Sequence, residues 1–287
     1  MPNIKIACLG AGSLFFPRAL GDLAINQGLS ESEITLHDLD FDKAELMATL
    51  GRRFSEESGN SLRIRACREL ADALDGADFA ISSIGGSGAS LGGVYGTATH
   101  NADLMIPAKY GIYQIVGDTG GPAGMMMGLR SIPSYLSICR EMEKRCPEAI
   151  LFNHSNPMAV LCRAMVKYTS IQVVGICHGV QSGMGQLARL MEVEPEDLDV
   201  VWIGTNHYYW FTRIRLRGRD IYPEVMKRAA ARTPGHGEAM SELLSQIYGH
   251  RIVYQEDGHV LEFYPFLAQV GDPMKMPYGY GEETGPQ

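Results

Sequence analysis

Apolar residues come in short runs of strand length over the first two thirds of the chain, each followed by a stretch where they recur every three to four positions. That alternation is the pattern of β-α-β units built around a parallel sheet. Ile4–Leu9 reads as the first strand and Phe16–Gln27 as the first helix; Ile34–His37 reads as the second strand and Phe41–Ser58 as a helix with Leu46 and Leu50 on one face. Phe79–Ile84, Ala149–Phe152 and Val173–Ile176 continue the strand series, with helices between them. From about residue 200 the pattern changes: "VVWIGTNHYYWFTRIRLRG" alternates as antiparallel strands do, and short helices and loops follow. The last stretch, "GDPMKMPYGYGEETGPQ", is rich in glycine and proline and reads as a poorly ordered tail.

Composition narrows the partners. A chain of 287 residues suggests two domains at about 150 residues each. An apolar content of 45% and a charged content of 20% are those of an ordinary globular protein, and a net charge of -8 argues against a nucleic-acid or anionic-membrane surface. Small molecules are the expected partners. No apolar run approaches the ~18 residues of a membrane span, and "MPNIKIACLGAG" reads as a strand and turn rather than a signal peptide, so the expected address is the cytoplasm. Six scattered cysteines, without close pairs, suit a reducing compartment.

The first chemical signal is "CLGAGSLFF", where Gly10 and Gly12 fall between a strand and a helix. Glycine lets the backbone turn sharply and approach a pyrophosphate, whose charge the helix N-terminus then stabilises. Phe15 stands where the full fingerprint has its third glycine. Asp38, in "TLHDLD", ends the second strand, where a carboxylate has the chemistry to accept hydrogen bonds from a ribose diol, which favours NAD over NADP. A turn or N-cap role is the alternative for it. Gly10, Asp38, Gly85, Asn153 and Cys177 all fall just beyond the carboxyl ends of successive strands, the edge where open parallel sheets bind ligands.

The second signal is Cys177 in "GICHG", followed further along by His207 in "GTNHYYW". A thiolate and an imidazole make a soft-to-borderline metal site with positions open for substrate oxygens, and the spacing matches no structural zinc pattern. On residue type alone the plainer reading is preferred: a packing cysteine and a surface or hydrogen-bonded core histidine.

The segments "GAGS", "HDLD", "KYGIYQIVGDTGGPAGMMMGLR", "NHSNPMA", "GICHG" and "GTNHYYWF" occur in this order. Their combination, over roughly residues 4 to 265, resembles glycoside hydrolase family 4, and most closely its α-galacturonidase and α-glucosidase branch. The resemblance implies an α/β fold: a Rossmann-type doubly wound parallel sheet over residues 1–180 that binds NAD, then a smaller, apparently truncated α+β domain over 181–287 for substrate and metal. It implies an enzyme that uses NAD and a divalent metal, usually manganese, and cleaves by elimination rather than by the paired-carboxylate displacement of other glycosidases. A sugar C2 proton is too weakly acidic to remove until the C3 hydroxyl has been oxidised to a ketone beside it, and a metal on the C2 and C3 oxygens stabilises the resulting anion. By resemblance Gly10, Gly12, Ser13 and Asp38 bind the cofactor, and Cys177 and His207 hold the metal. His178 is the proton donor, Asp118 supports a tyrosine base, and Asn156 binds the sugar. Asp118 also reads as a helix-capping aspartate, Asn156 as a turn residue before Pro157, and His178 as a structural histidine. The tyrosine base has two candidates, Tyr254 and Tyr264, around a "H..E" pattern at His259 and Glu262, with Phe263 where many relatives carry tyrosine. A homo-oligomer, dimer or tetramer, is expected as well.

Two departures qualify the resemblance. Family chains run well beyond the equivalent of Pro265, whereas this sequence ends soon after it, at Gln287, and the stretch from Thr233 to Glu238 reads as shortened. A fragment, a short member and an inactive descendant are the expectations that follow. No lysine or arginine occurs from Glu69 to Ala108, where phosphoglycosidases carry an arginine, so a uronide is preferred over a 6-phospho-sugar. The rival functions are a hydroxy-acid dehydrogenase of the malate or lactate type and a truncated, non-catalytic NAD-binding protein.

Overall fold

The computed structural model describes residues 3–85, 97–114, 116–235, 238–252 and 257–264. Tyr254, Pro265 and the glycine-rich tail lie outside the described residues. The chain forms two compact units, Met1–His100 with Met126–Ile176, and Asn101–Met125 with Cys177–Gln287. The sequence pattern places a single boundary after residue 180; the structure instead puts the segment Asn101–Met125 with the C-terminal part.

The first unit holds a six-stranded sheet of β1 (Lys5–Leu9), β2 (Glu33–His37), β3 (Arg63–Cys67), β4 (Phe79–Ser82), β5 (Ile150–Asn153) and β6 (Gln172–Gly175). The order is β3-β2-β1-β4-β5-β6 and every pair is parallel, the expected doubly wound topology. Helices α1 (Phe16–Ile25), α2 (Phe41–Glu57) and α3 (Leu70–Leu74) lie in this unit, α4 (Ala98–Ala108) and α5 (Gly121–Arg145) contain the points of division, and α6 (Met158–Tyr168) belongs again to the first unit.

Side chains of β1 alternate between two cores, as the two-residue period of a strand requires. Ala7 and Leu9 join Tyr135, Met142, Leu161 and Met165, whereas Ile6 and Cys8 join Phe16, Leu20, Ala44 and Ala48. Burial on both faces is why the strand reads as one apolar run. Edge strand β3, "RIRAC", exposes Arg63 and Arg65 and carries no such run. The face of α2 also differs from the expectation: Leu46 is 63% exposed, and the helix buries Ala44, Ala48, Gly51 and Ser55 instead. A Cβ on Gly51 would lie 3.1 Å from Ile64 Cδ1, so small residues let the helix settle close to the sheet, and close approach replaces side-chain size.

In the second unit α7 (Gly179–Met191) precedes an antiparallel sheet of β7 (Leu198–Thr205), β8 (Tyr208–Leu216) and β9 (Arg219–Asp220). Helices α8 (Tyr222–Ala231), α9 (Ala239–Tyr248) and α10 (Asp257–Glu262) complete it. Leu187 and Met191 of α7 pack with Phe211, Ile214 and Val225, and a second cluster gathers Met240, Leu244, Ile252, Val260 and Tyr264. Beneath the latter, Arg251 and Glu242 form an ion pair with both side chains buried. Among the described residues no helix is long and apolar enough to cross a membrane.

Candidate functional site

The nucleotide-type edge of the first unit begins where β1 ends. Gly10 takes φ +75°, and a Cβ there would fall 2.4 Å from the Ser83 carbonyl oxygen, so both backbone shape and close approach demand glycine. The N–H groups of Gly10 and Ala11 both donate to the His37 carbonyl, at 2.9 and 3.1 Å, which ties this turn to the end of β2. The Asp38 carboxylate accepts from Gly12 N–H at 2.9 Å and from Asp40 N–H at 2.9 Å. Asp38 therefore organises two loops of the binding edge, the turn role that the sequence left open, while its placement beyond β2 is also that of a ribose partner. Ser13 Oγ shares a 2.8 Å hydrogen bond with Ser83 Oγ. Phe15, in place of the third glycine, stacks on His154 with ring centroids 4.1 Å apart.

Below this edge a buried polar network fixes the neighbouring loops. The Tyr135 hydroxyl shares its one proton between Asn153 Oδ1 and Ser155 Oγ, both at 2.7 Å. Ser155 Oγ in turn accepts from Ile84 N–H and donates to Ile84 O, each at 2.8 Å. Asn156 follows, and its Oδ1 accepts from Met158 N–H at 3.4 Å, the first amide of α6.

The second unit contains a different kind of arrangement. Strands β7 and β8 pair Thr205 with Tyr208, leaving Asn206 and His207 as a two-residue hairpin tip. His207 takes φ +61°, a left-handed conformation uncommon outside glycine. Gly204, at φ +140°, lies opposite Tyr209, and a Cβ on it would be 2.1 Å from Tyr208 O, so only glycine lets the strands close around that tip. Against the tip lie Asp118 and His259, brought from loop 116–120 and from α10. The metal-ligating atoms of Asp118, His207 and His259 all lie within 4.8 Å of one another.

Hydrogen bonds order this cluster. Thr119 Oγ1 donates to Asp118 Oδ1 at 2.6 Å and contacts His207 Nδ1 at 2.8 Å. With the hydroxyl proton on Asp118, His207 Nδ1–H is the donor and its Nε2 keeps a lone pair. His259 Nε2 lies 3.0 Å from Asp118 Oδ1. Burial and the charge of His259 push the His207 imidazole down to about 4, against the pull of Asp118, so it is neutral and competent as a ligand near pH 7. Burial pushes the Asp118 carboxyl up, but the hydrogen bond and charge of His259, with His207 and Thr119, more than offset it and hold it below the usual carboxylate range. Glu262 accepts from the N–H groups of Val116 and Gly117, both at 2.7 Å; its burial pushes the carboxyl up to about 7.

Of the residues singled out in the sequence, Asp118 and His207 are thus brought together. His178 sits at the N-cap of α7, close enough that its charge lowers the His207 pKa further. Cys177 is not one of the three clustered donors; its Sγ lies 3.1 Å from the Tyr209 hydroxyl and accepts from Gly179 N–H at 3.3 Å. Tyr264 is buried among Tyr208, Tyr248 and Phe263, and burial and Tyr208 push its hydroxyl far above the usual range. Sequence reasoning gave no role to Thr119, Tyr209 or Asn206. Asn206 is 5% exposed and both polar atoms of its amide lack a hydrogen-bond partner among the described residues.

Both sites fit the groups that the sequence implies. The glycine turn at Gly10 packs directly on the Ser83 backbone and leads from β1 into α1, the position where an open parallel sheet receives a pyrophosphate. A carboxylate with two imidazoles is a mixed oxygen and nitrogen donor set for a borderline divalent cation, and the orphaned Asn206 amide beside His207 suits an incoming polar group. The fold is that of the doubly wound α/β proteins, with a cluster of metal-type donors on an appended α+β unit.

Residues 5–193 match the family 4 glycosyl hydrolases, and the chain belongs to that family. It is 31% identical over 272 residues to an α-galactosidase of Bacillus subtilis (strain 168), covering 94% of this chain and 61% of that protein. An α-galacturonidase of the same organism is 32% identical over 289 residues, covering 95% of this chain and 60% of that protein. Among solved structures, a 6-phospho-α-glucosidase from gut microorganisms in complex with NAD and Mn2+ shares the fold at a TM-score of 0.79 and 23% identity, over 97% of this chain and 63% of that one. The chain thus spans about 60% of the length of the curated relatives it matches.

Proposed function

We propose that this chain carries the NAD- and divalent-metal-dependent core of an α-glycosidase acting on galacto-configured substrates, α-galacturonides in the first place. The observation that carries the reading is the cluster of buried Asp118 with His207 and His259, in a chain whose other unit is a doubly wound parallel sheet. Family membership and the α-galacturonidase and α-galactosidase relatives support the substrate class.

Bound NAD supplies a reversible hydride acceptor and a bound Mn2+ a Lewis acid for adjacent sugar oxygens. Gly10, Gly12 and Ser13 hold the pyrophosphate side of the cofactor, and Asp38 both fixes that loop and offers its carboxylate to the ribose. His207 contributes a neutral imidazole to the metal, with Cys177 by family resemblance and with Asp118 and His259 within reach. Thr119 keeps the His207 ring in the tautomer that leaves Nε2 available. Asn156 orients a sugar hydroxyl. His178 gives a proton to the departing glycosidic oxygen, a role that an imidazole performs near neutral pH.

The test is hydrolysis of 4-nitrophenyl α-galacturonide, α-galactoside and α-glucoside by the purified chain, with and without NAD, Mn2+ and a thiol reductant. The expected ranking places the galacturonide first, with both additives required. A protein that binds NAD yet turns over a 2-hydroxy acid with net NADH accumulation would replace this reading with a dehydrogenase.

A further inference from the structure

We infer that Glu262 is a positioning residue: by accepting two backbone hydrogen bonds from the segment that leads into Asp118, it sets where Asp118 and Thr119 meet His207. The inference rests on the cluster being the working centre proposed above, and extends it to a residue that touches none of the reacting groups.

The geometry is that of a two-point clamp. His259 and Glu262 lie three residues apart on α10, so both project from one side of it. His259 Nε2 meets Asp118 Oδ1 at 3.0 Å, while Glu262 Oε1 receives the N–H groups of Val116 and Gly117 at 2.7 Å each. Three consecutive residues, 116 to 118, are thereby held by two side chains from a helix far downstream in the sequence. Two adjacent N–H groups cannot satisfy one another, and each donor left buried without an acceptor costs about 1–3 kcal/mol. One oxygen with two lone pairs can accept both. What the position requires is therefore an oxygen at this reach, rather than a negative charge.

That requirement separates two conservative substitutions. Glu262→Gln keeps the side-chain length and a carbonyl oxygen but removes the charge; Glu262→Asp keeps the charge and shortens the reach by one methylene. Positioning predicts that E262Q preserves the cluster and E262D disturbs it, whereas an electrostatic role predicts the reverse. The readout is the apo chain: amide hydrogen exchange at Val116 and Gly117, and nitrogen-15 NMR of the His207 and His259 imidazoles, which reports their tautomers. In E262D exchange should quicken about 10-fold, the equivalent of about 1.4 kcal/mol, with a mixed tautomer signal at His207. In E262Q both should stay within about twofold of the unsubstituted chain. Equal or larger changes in E262Q, or no change in either variant, overturn the inference. If E262D does not fold, the E262Q imidazole spectrum decides alone. Neither NAD, metal nor substrate enters the measurement, so a chain that fails to cleave glycosides contradicts the proposed function and leaves this test standing.

Discussion

The nucleotide-type edge and the Asp118, His207 and His259 cluster are assembled in opposite ways. The edge is made of backbone: a glycine turn closed onto the end of β2, two N–H groups on one carbonyl, and an aspartate knotting the two loops. Its main parts all lie between Gly10 and Asp40. The cluster is made of side chains from a loop, a hairpin tip and a helix, and its hydrogen-bonded partners Asp118 and His259 stand almost half the chain apart. A backbone site tolerates side-chain changes but not added volume; a side-chain site fails with any one donor. The same chain thus shows how a backbone edge can be encoded locally while a side-chain cluster waits for tertiary folding.

That contrast can be broken at its strongest point first. His207→Ala or Cys177→Ser should lower Mn2+-dependent turnover by about 10²–10⁴-fold while leaving the NAD dissociation constant unchanged. Activity assays with fluorescence titration of NAD check both halves, and full turnover in C177S would remove Cys177 from the metal set. Next in size, Arg251→Met strands Glu242 as a buried charge and should cost the second unit about 3–5 kcal/mol, measured by urea denaturation. Hydrogen exchange should place the loss in α9 and its neighbours, with β1 and β4 still protected.

A pH series sharpens the comparison further. The folded His207 pKa, about 4, lies below the ordinary value of 6.5, so the unfolded chain takes up a proton first as pH falls. The His207 contribution is therefore full above about pH 6.5 and is lost toward pH 4, by up to roughly 3 kcal/mol, while Glu262, raised to about 7, contributes in the opposite sense over much of the same range. Denaturation of the metal-free chain and of His207→Gln at several pH values isolates the His207 part as the difference between the two, which should fall as pH drops from 6.5 to 4. The smallest expected effect is that of Gly10→Ala, where a left-handed backbone and a 2.4 Å approach to Ser83 O weaken NAD binding by about 10- to 100-fold. Mn2+ binding, followed by electron paramagnetic resonance, should not change in that variant.

The legibility of each part in the sequence follows the same division. Strands β1, β2, β4, β5 and β6 announce themselves because burial on both faces, or a regular β-α rhythm, leaves an apolar run. Strand β3 does not, because an edge strand can spend Arg63 and Arg65 on solvent. Large apolar residues do not mark the buried face of α2, since alanine, glycine and serine make its contact. Gly10, Gly12 and Asp38 could be found from local spacing, and Asp118 and His207 from family resemblance. The meeting of His207 with Thr119 and His259 could not be found from spacing, for no local period relates a loop, a hairpin tip and a distant helix. A histidine and glutamate three apart at 259 and 262 was the one trace of it.

In the proposed function, cleavage proceeds through removal of the sugar C2 proton, with NAD and a divalent metal required together. The most direct measurement is proton NMR of the product formed from an α-galacturonide in deuterium oxide, with NAD and Mn2+ present. Deuterium should appear at C2 of the released sugar, and no product should form when either NAD or Mn2+ is omitted. Product that keeps its C2 proton, or that forms equally well without NAD, would contradict it.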